Sequence, residues 1–155
     1  MGRVPLLYID GKEVLGQSRT IERFLATRFG LMGSNDLEAA QVDMIGEHIR
    51  DIKDAYAKAK AAGNADKFLE EDLKTWLAKL EAVVAVTSTK PGCAVGDKLS
   101  LAGLQIYSLL AEFFDAKDKA TAAYAGLTHL TAIVSTVAAN EKLVAWQKSR
   151  PVTQF

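Results

Sequence analysis

One cysteine, three prolines and two histidines among 155 residues leave few starting points for metal, redox or covalent chemistry. The lone Cys93 has no partner for an internal disulfide, which fits a reducing compartment and makes the cytoplasm the expected location. His48 and His129 are far apart and neither sits in a metal-ligand spacing or a helical HExxH, so no metal is expected. The chain has no GxSxG, no phosphate-cradling glycine loop and no CxxC. It also lacks an excess of charge: 19 Lys and Arg balance 19 Asp and Glu. Neither nucleic acid nor an anionic membrane surface is therefore an expected partner. Apolar runs are short and interrupted, so no bilayer span is expected, and the start carries no secretory-signal pattern.

What is present is the composition of a globular protein, 49% apolar and 25% charged, in a chain long enough for one compact domain or a small lobe joined to a larger one. "RVPLLYIDGKEVLG" reads as two short strands: an apolar run from Val4 to Ile9, the turn dipeptide Asp10-Gly11, and a return over Glu13-Val14-Leu15. Pro5 inside the first run marks an edge strand or a special backbone position. Ile21, Phe24, Leu25 and Phe29 then recur at helical spacing, and Gly30 stops the helix. About thirty residues cannot bury a core alone, so this lobe must rest on something else.

Everything after Gly33 reads as helix. Ser34 and Asn35 are capping candidates, with Glu38 placed to complete a capping box on Asn35. Val42, Ile45, Ile49, Ile52 and Tyr56 form one apolar stripe, and Gly63 ends that helix. A second long helix carries Leu69, Leu73, Trp76, Leu77, Leu80 and Val84 on one face. "SLAGLQIYSLLAEFF" is apolar nearly all round, the mark of a central helix, with Ser100 as its expected N-cap. Shorter helices are expected near Lys117–Tyr124, Thr128–Ala139 and Glu141–Lys148, the last capped by Asn140. Trp76 and Trp146 are expected in the core.

Two patterns invite a functional reading. Asp43, Glu47 and Asp51, spaced four apart, put three carboxylates on one helix face; without further oxygen ligands a solvated or interface face paired with Arg50 and Lys53 is favoured over a cation site. Gln17 and Ser18 stand at a strand-to-helix junction. Ser18 capping the helix is the simpler account. The alternative is that the helix N-terminus, with its unpaired N–H donors and partial positive charge, holds a ligand carboxylate beside the Ser hydroxyl and Gln amide.

"VPLLYIDGKEVLGQSRTIERFLATRFGL" closely resembles the end of the thioredoxin-like domain of cytosolic glutathione transferases. "EAAQVDMIGEHIRDIKDAY", "AVGDKLSLAGLQIYSLL" and "VAWQKSRPVTQF" resemble that family's helical domain, nearest to its sigma-like class, which includes prostaglandin D synthases and S-crystallins. The resemblance implies a mostly α fold: residues 1–31 as the C-terminal part of a thioredoxin-like domain (β-hairpin plus one helix), and residues 34–155 as the all-helical domain. It implies glutathione as substrate, bound by the backbone of Val4 before a cis Pro5, by Gln17 and Ser18 at the γ-glutamyl carboxylate, and by Asp51 reaching the γ-glutamyl amine across a dimer interface. Arg3 is a weaker match to a ligand-side position.

The resemblance also implies a strand, a helix and a strand ahead of Val4, bearing the tyrosine that stabilises the glutathione thiolate. Tyr8, Tyr56, Tyr107 and Tyr124 do not match it, so no catalytic residue is assigned and the chain is expected to be N-terminally truncated. Two roles follow: conjugation of glutathione to small electrophiles, or a non-catalytic structural or interaction subunit of a larger assembly. The expected partner is a second copy or another protein covering the open sheet edge. Gly103 stands where the family's capping box after Ser100 has Asp.

Overall fold

The computed structural model describes residues 4–151. Strands β1 (Leu6–Ile9) and β2 (Glu13–Gly16) pair antiparallel, Leu6 opposite Gly16 and Ile9 opposite Glu13. Asp10 and Gly11, at φ 50° and 68°, make the turn between them, closed by Lys12 N–H donating to the Ile9 carbonyl at 3.0 Å. Positive φ at both central residues matches the right-handed twist of the strands, which is why Asp-Gly is placed there. Helix α1 (Ser18–Arg28) follows, and of the residues from Val4 to Arg28 only Ala26 is buried. The small lobe thus has no core of its own, as its length requires.

Helix α2 (Asp36–Ala61) buries Val42, Ile45, Ile49, Ile52 and Tyr56, the complete predicted stripe. Its start is a capping box shifted by one residue: Asn35 Oδ1 accepts from Glu38 N–H at 3.0 Å, while Glu38 Oε2 accepts from Ser34 N–H at 2.7 Å. The chain reaches this cap through Gly33 at φ 84°, where a Cβ would lie 2.5 Å from the Cβ of Glu38. Only glycine satisfies both that conformation and that approach.

Next come a single turn α3 (Ala65–Lys67), a π-helical turn (Phe68–Asp72) and α4 (Leu73–Thr87), together the expected second long helix. A second π-helical turn (Ser108–Phe113) extends α5 (Leu101–Tyr107). Each wide turn carries two consecutive buried side chains, Phe68 with Leu69 and Leu109 with Leu110. Helices α6 (Lys117–Tyr124), α7 (Thr128–Ala138) and α8 (Glu141–Ser149) complete the bundle. Helix α5 is central, packing on α2, α7 and α1. None of the helices among the described residues is long and apolar enough to cross a membrane.

Three expectations need correction. Ser18 does not cap α1: it is the first helical residue, the N-cap is Gln17 at φ 70° and ψ 117°, and no side chain accepts the first-turn N–H groups. A cap side chain reaches those donors from an extended backbone, which a positive φ does not provide. Ser100 does occupy the N-cap of α5 with extended backbone, but its buried hydroxyl has no hydrogen-bond partner. Trp146 is 58% exposed rather than in the core. Helix α8 packs on α7 and reaches Tyr107 and Glu112 through Gln147, while Trp146, one turn beyond half-buried Leu143, overhangs a surface groove.

Candidate functional site

The first turn of α1 contains no acidic residue, and its N–H groups are left uncapped by the exposed Gln17 and Ser18. This is the end of the helix that carries partial positive charge, with donors that water or a ligand must satisfy. The Val4–Pro5 peptide is cis, on the strand of the hairpin remote from α1 in sequence, with Val4 90% exposed. Strand β2, and through it the hairpin, packs on α1. Arg3 lies outside the described residues.

Helix α1 is held against α2 by charge. Arg19 Nη1 lies 2.8 Å from Glu47 Oε1 and 3.3 Å from the Gly46 carbonyl. Arg23 Nε donates to Asp43 Oδ1 and its Nη2 lies 2.8 Å from Glu47 Oε1. Arg50 reaches the other oxygen of Glu47 from one turn along α2. The Arg23 guanidinium is held above its ordinary pKa by its hydrogen bond to Asp43. Asp43 and Glu47 are therefore paired, as favoured from the sequence, but mainly with arginines of α1 rather than with Arg50 and Lys53. The spacing signalled this: Arg19 and Arg23 stand four apart, as do Asp43 and Glu47. Asp51 is exposed and bonded to nothing among the described residues. No group of three His, Cys, Asp or Glu among the described residues is placed to hold a metal ion.

Between α1, α2 and α5 lies a cleft of about 520 Å³, within the range of small-molecule sites. Ser18 opens onto it; Ile49, Leu101 and Leu104 supply apolar wall; Glu22, Lys53 and Gln105 supply polar groups. Gln105 Nε2 donates to Glu22 Oε2 at 2.9 Å. Lys53, expected to pair with the α2 carboxylates, makes no ion pair with them, and the sequence did not mark Lys53 or Gln105 as cleft residues because only the packing of α1 across α2 and α5 makes them neighbours.

The remaining candidates are occupied elsewhere. Burial pushes the Cys93 thiol pKa up, consistent with an unreactive loop cysteine. His48 sits against the Trp76 ring, its Nε2 3.3 Å from the Trp76 carbonyl. The backbone N–H of His129 donates to Glu81 at the start of α7. Tyr56 is buried among Phe68, Phe113 and Phe114, with its hydroxyl 3.3 Å from Asp115. Tyr107 accepts from Gln147 Nε2, and Tyr8 is exposed on β1.

Residues 43–150 match the family model of the glutathione S-transferase C-terminal domain. The chain belongs to the glutathione S-transferase family. Glutathione S-transferase P 1 of Xenopus laevis is 31% identical over 160 residues, covering 98% of this chain and 73% of that protein. Glutathione S-transferase P 2 of Bufo bufo is 35% identical over 151 residues, covering 96% and 69%. Among solved structures, the monomeric glutathione S-transferase Na-GST-3 of the hookworm Necator americanus superposes with a TM-score of 0.81 at 30% identity, over 99% of this chain and 77% of that one. The fold is accordingly that of a glutathione S-transferase: a β-hairpin and helix belonging to its thioredoxin-like lobe, followed by its helical domain.

Proposed function

We propose that this glutathione S-transferase family member binds glutathione at the N-terminus of α1 and does not itself strongly activate the thiol. The observation that carries the reading is the uncapped first turn of α1, free of acidic side chains, with Gln17 and Ser18 unengaged beside it and a cleft of suitable size in front. A γ-glutamyl carboxylate there accepts N–H donors that the chain leaves open, with the Ser18 hydroxyl and Gln17 amide as additional donors. The backbone of Val4, preceding the cis Pro5, is the expected partner of the cysteinyl peptide unit.

Conjugation requires glutathione thiolate, and a thiol near its ordinary pKa of about 8.5 is only a few per cent ionised at neutral pH. None of Tyr8, Tyr56, Tyr107 and Tyr124 lines the cleft. Binding with weak catalysis is thus favoured over full transferase activity, and a role as a non-catalytic subunit is the companion reading.

Asp51 supports a second copy as partner. Leu37, Met44 and Asp51 are spaced seven apart on α2, and Leu37 and Met44 are 68% and 49% exposed. An apolar stripe of this kind ending in a carboxylate suits a self-associating face from which Asp51 meets the ligand amine of the other protomer. A cytoplasmic location remains part of the proposal.

The test is retention on glutathione resin and titration calorimetry of the whole chain, with Ser18→Ala alongside. Ser18→Ala should weaken binding by about five- to ten-fold, the worth of one hydrogen bond to a charged group. An unretained chain with no heat of binding refutes the site. Rapid turnover with 1-chloro-2,4-dinitrobenzene refutes the weak-activation part alone.

A further inference from the structure

The cleft contains one basic side chain with no ion-pair partner among the described residues. Of its three basic side chains, Arg19 and Arg50 are both committed to Glu47. Lys53, half-buried on α2, makes no hydrogen bond or ion pair among the described residues. Its Nζ lies 4.8 Å from the centre of the Phe113 ring. Partial burial strips some water from the ammonium without a paired anion in exchange, so an anion brought to it recovers that energy. The nearby acids, Glu22 and exposed Asp54, line the same cleft without forming an ion pair with it; Glu22 accepts instead from Gln105 and acts on Lys53 only at a distance. Lys53 therefore adds an ammonium without an ion-pair partner to a pocket that also receives the positive end of α1, beside apolar walls of Ile49, Leu101 and Leu104.

We propose that Lys53 is a ligand-positioning residue of the cleft between α1, α2 and α5, the counter-charge for a carboxylate of the small molecule bound there. In identifying that molecule as glutathione the inference rests on the function proposed above; the selectivity for a carboxylate does not. Desolvation lowers the Lys53 pKa, opposed by Glu22 on α1 and reinforced by Arg19 beside it. Arg50 and Asp54 flank it on α2, and α5 faces the cleft with neutral Gln105 and Ser108. The ammonium thus gives up its proton below the ordinary lysine value of 10.5, and a carboxylate bound to it is released in the same range.

The experiment uses the whole chain, its Lys53→Met and Lys53→Arg variants, and two ligand pairs. The first pair is glutathione and its glycyl monoethyl ester, titrated calorimetrically. Lys53→Met should weaken glutathione by about ten-fold while Lys53→Arg stays near wild type. If the ten-fold difference disappears with the ester, Lys53 holds the glycyl carboxylate; if it persists, Lys53 holds the γ-glutamyl one. The second pair is benzoate and benzamide, followed by chemical-shift changes at the Ser18, Glu22 and Gln105 amides. Benzoate and not benzamide should shift them, Lys53→Met should abolish the response, and in the wild type it should fade with rising pH below 10.5 while persisting in Lys53→Arg. A chain that binds no glutathione yet shows this benzoate pattern disproves the glutathione reading and upholds Lys53. Unfolding midpoints establish that the variants are folded, and removing a desolvated charge should not lower them. A folded Lys53→Met that binds glutathione and benzoate as the wild type does, or equal responses to benzoate and benzamide, overturns the proposal.

Discussion

Replacing Arg23 with methionine should loosen α1 without loosening the bundle. Helix α1 buries only Ala26 completely, and its seat on α2 consists chiefly of the pairs made by Arg19 and Arg23. Arg23 alone bridges Asp43 and Glu47, at 2.5 and 2.8 Å. The side chains are about a third to a half exposed, 39% for Arg23, 46% for Asp43 and 35% for Glu47. At that exposure each contact contributes about 0.5–1 kcal/mol, and the two together about 1–2 kcal/mol. Methionine keeps most of the aliphatic stem, so the loss is that of the charge and its hydrogen bonds. The expected result is about ten-fold faster hydrogen exchange at the amides of Phe24, Leu25 and Ala26, with exchange in α2, α5 and α7 unchanged. Salt supplies the control. At 1 M NaCl the screening length falls to about 3 Å, so wild-type α1 should approach the variant while the variant barely responds. Equal protection of α1 in the two proteins at low salt, or a wild-type α1 indifferent to salt, would refute the view that charge seats this helix.

Two further outcomes follow from contacts away from the site. Helix α7 has no cap of its own; Glu81 on α4 accepts from His129 N–H at 2.8 Å and Leu130 N–H at 2.9 Å. Glu81→Ala should cost about 2 kcal/mol, lowering the thermal midpoint by about 4–8 °C, and Glu81→Gln should cost about half as much. Asp115 lies 2.5 Å from Lys60 Nζ, and that hydrogen bond holds its pKa below the ordinary 3.8. A depressed carboxylate contributes its stability above the unfolded-state value and loses it as pH falls through the folded one. The wild type should therefore exceed Asp115→Asn in urea resistance above pH 3.8, and the two should converge on acidification; a gap that widens in acid would contradict the assignment.

What the sequence makes legible here is what depends on nearby residues. The α2 stripe, its start at Asn35, the cap of α8 at Asn140 and the bounds of α6 all follow from spacing and local hydrogen bonding. The two π-helical turns are not legible, because a single wide turn leaves the apolar pattern on either side of it helical. Ser18 was misread for a related reason: a serine before an apolar helix caps it only if the backbone enters extended, and Gln17 enters at positive φ. That departure matters to function, since it leaves Ser18 and the first-turn donors available. Of the candidate site, the Gln17–Ser18 junction was visible through a family resemblance, whereas Lys53 was not, because its burial and lack of a partner are properties of three helices together.

The two halves of the proposed glutathione site differ in support. The α1 half is fixed to α2 through four charged side chains, so its donors are organised before a ligand arrives. The half containing Val4 is a hairpin whose only sheet partner among the described residues is its own second strand. Tyr8 and Val14 are 65% and 49% exposed on it, and it rests on α1 chiefly through β2. An isolated two-stranded hairpin is marginally stable in water. The fraction of molecules with Val4 in place therefore limits the apparent affinity, because that affinity is the intrinsic value reduced by the competent population. A protein that covers the outer edge of β1 would raise glutathione affinity without touching the ligand. Loosening α1, by contrast, would weaken carboxylate capture whatever covers the hairpin. The response to Arg23→Met and the response to an edge-binding partner should consequently be separable, the first acting through α1 and its salt-sensitive seat and the second through the exposed strand.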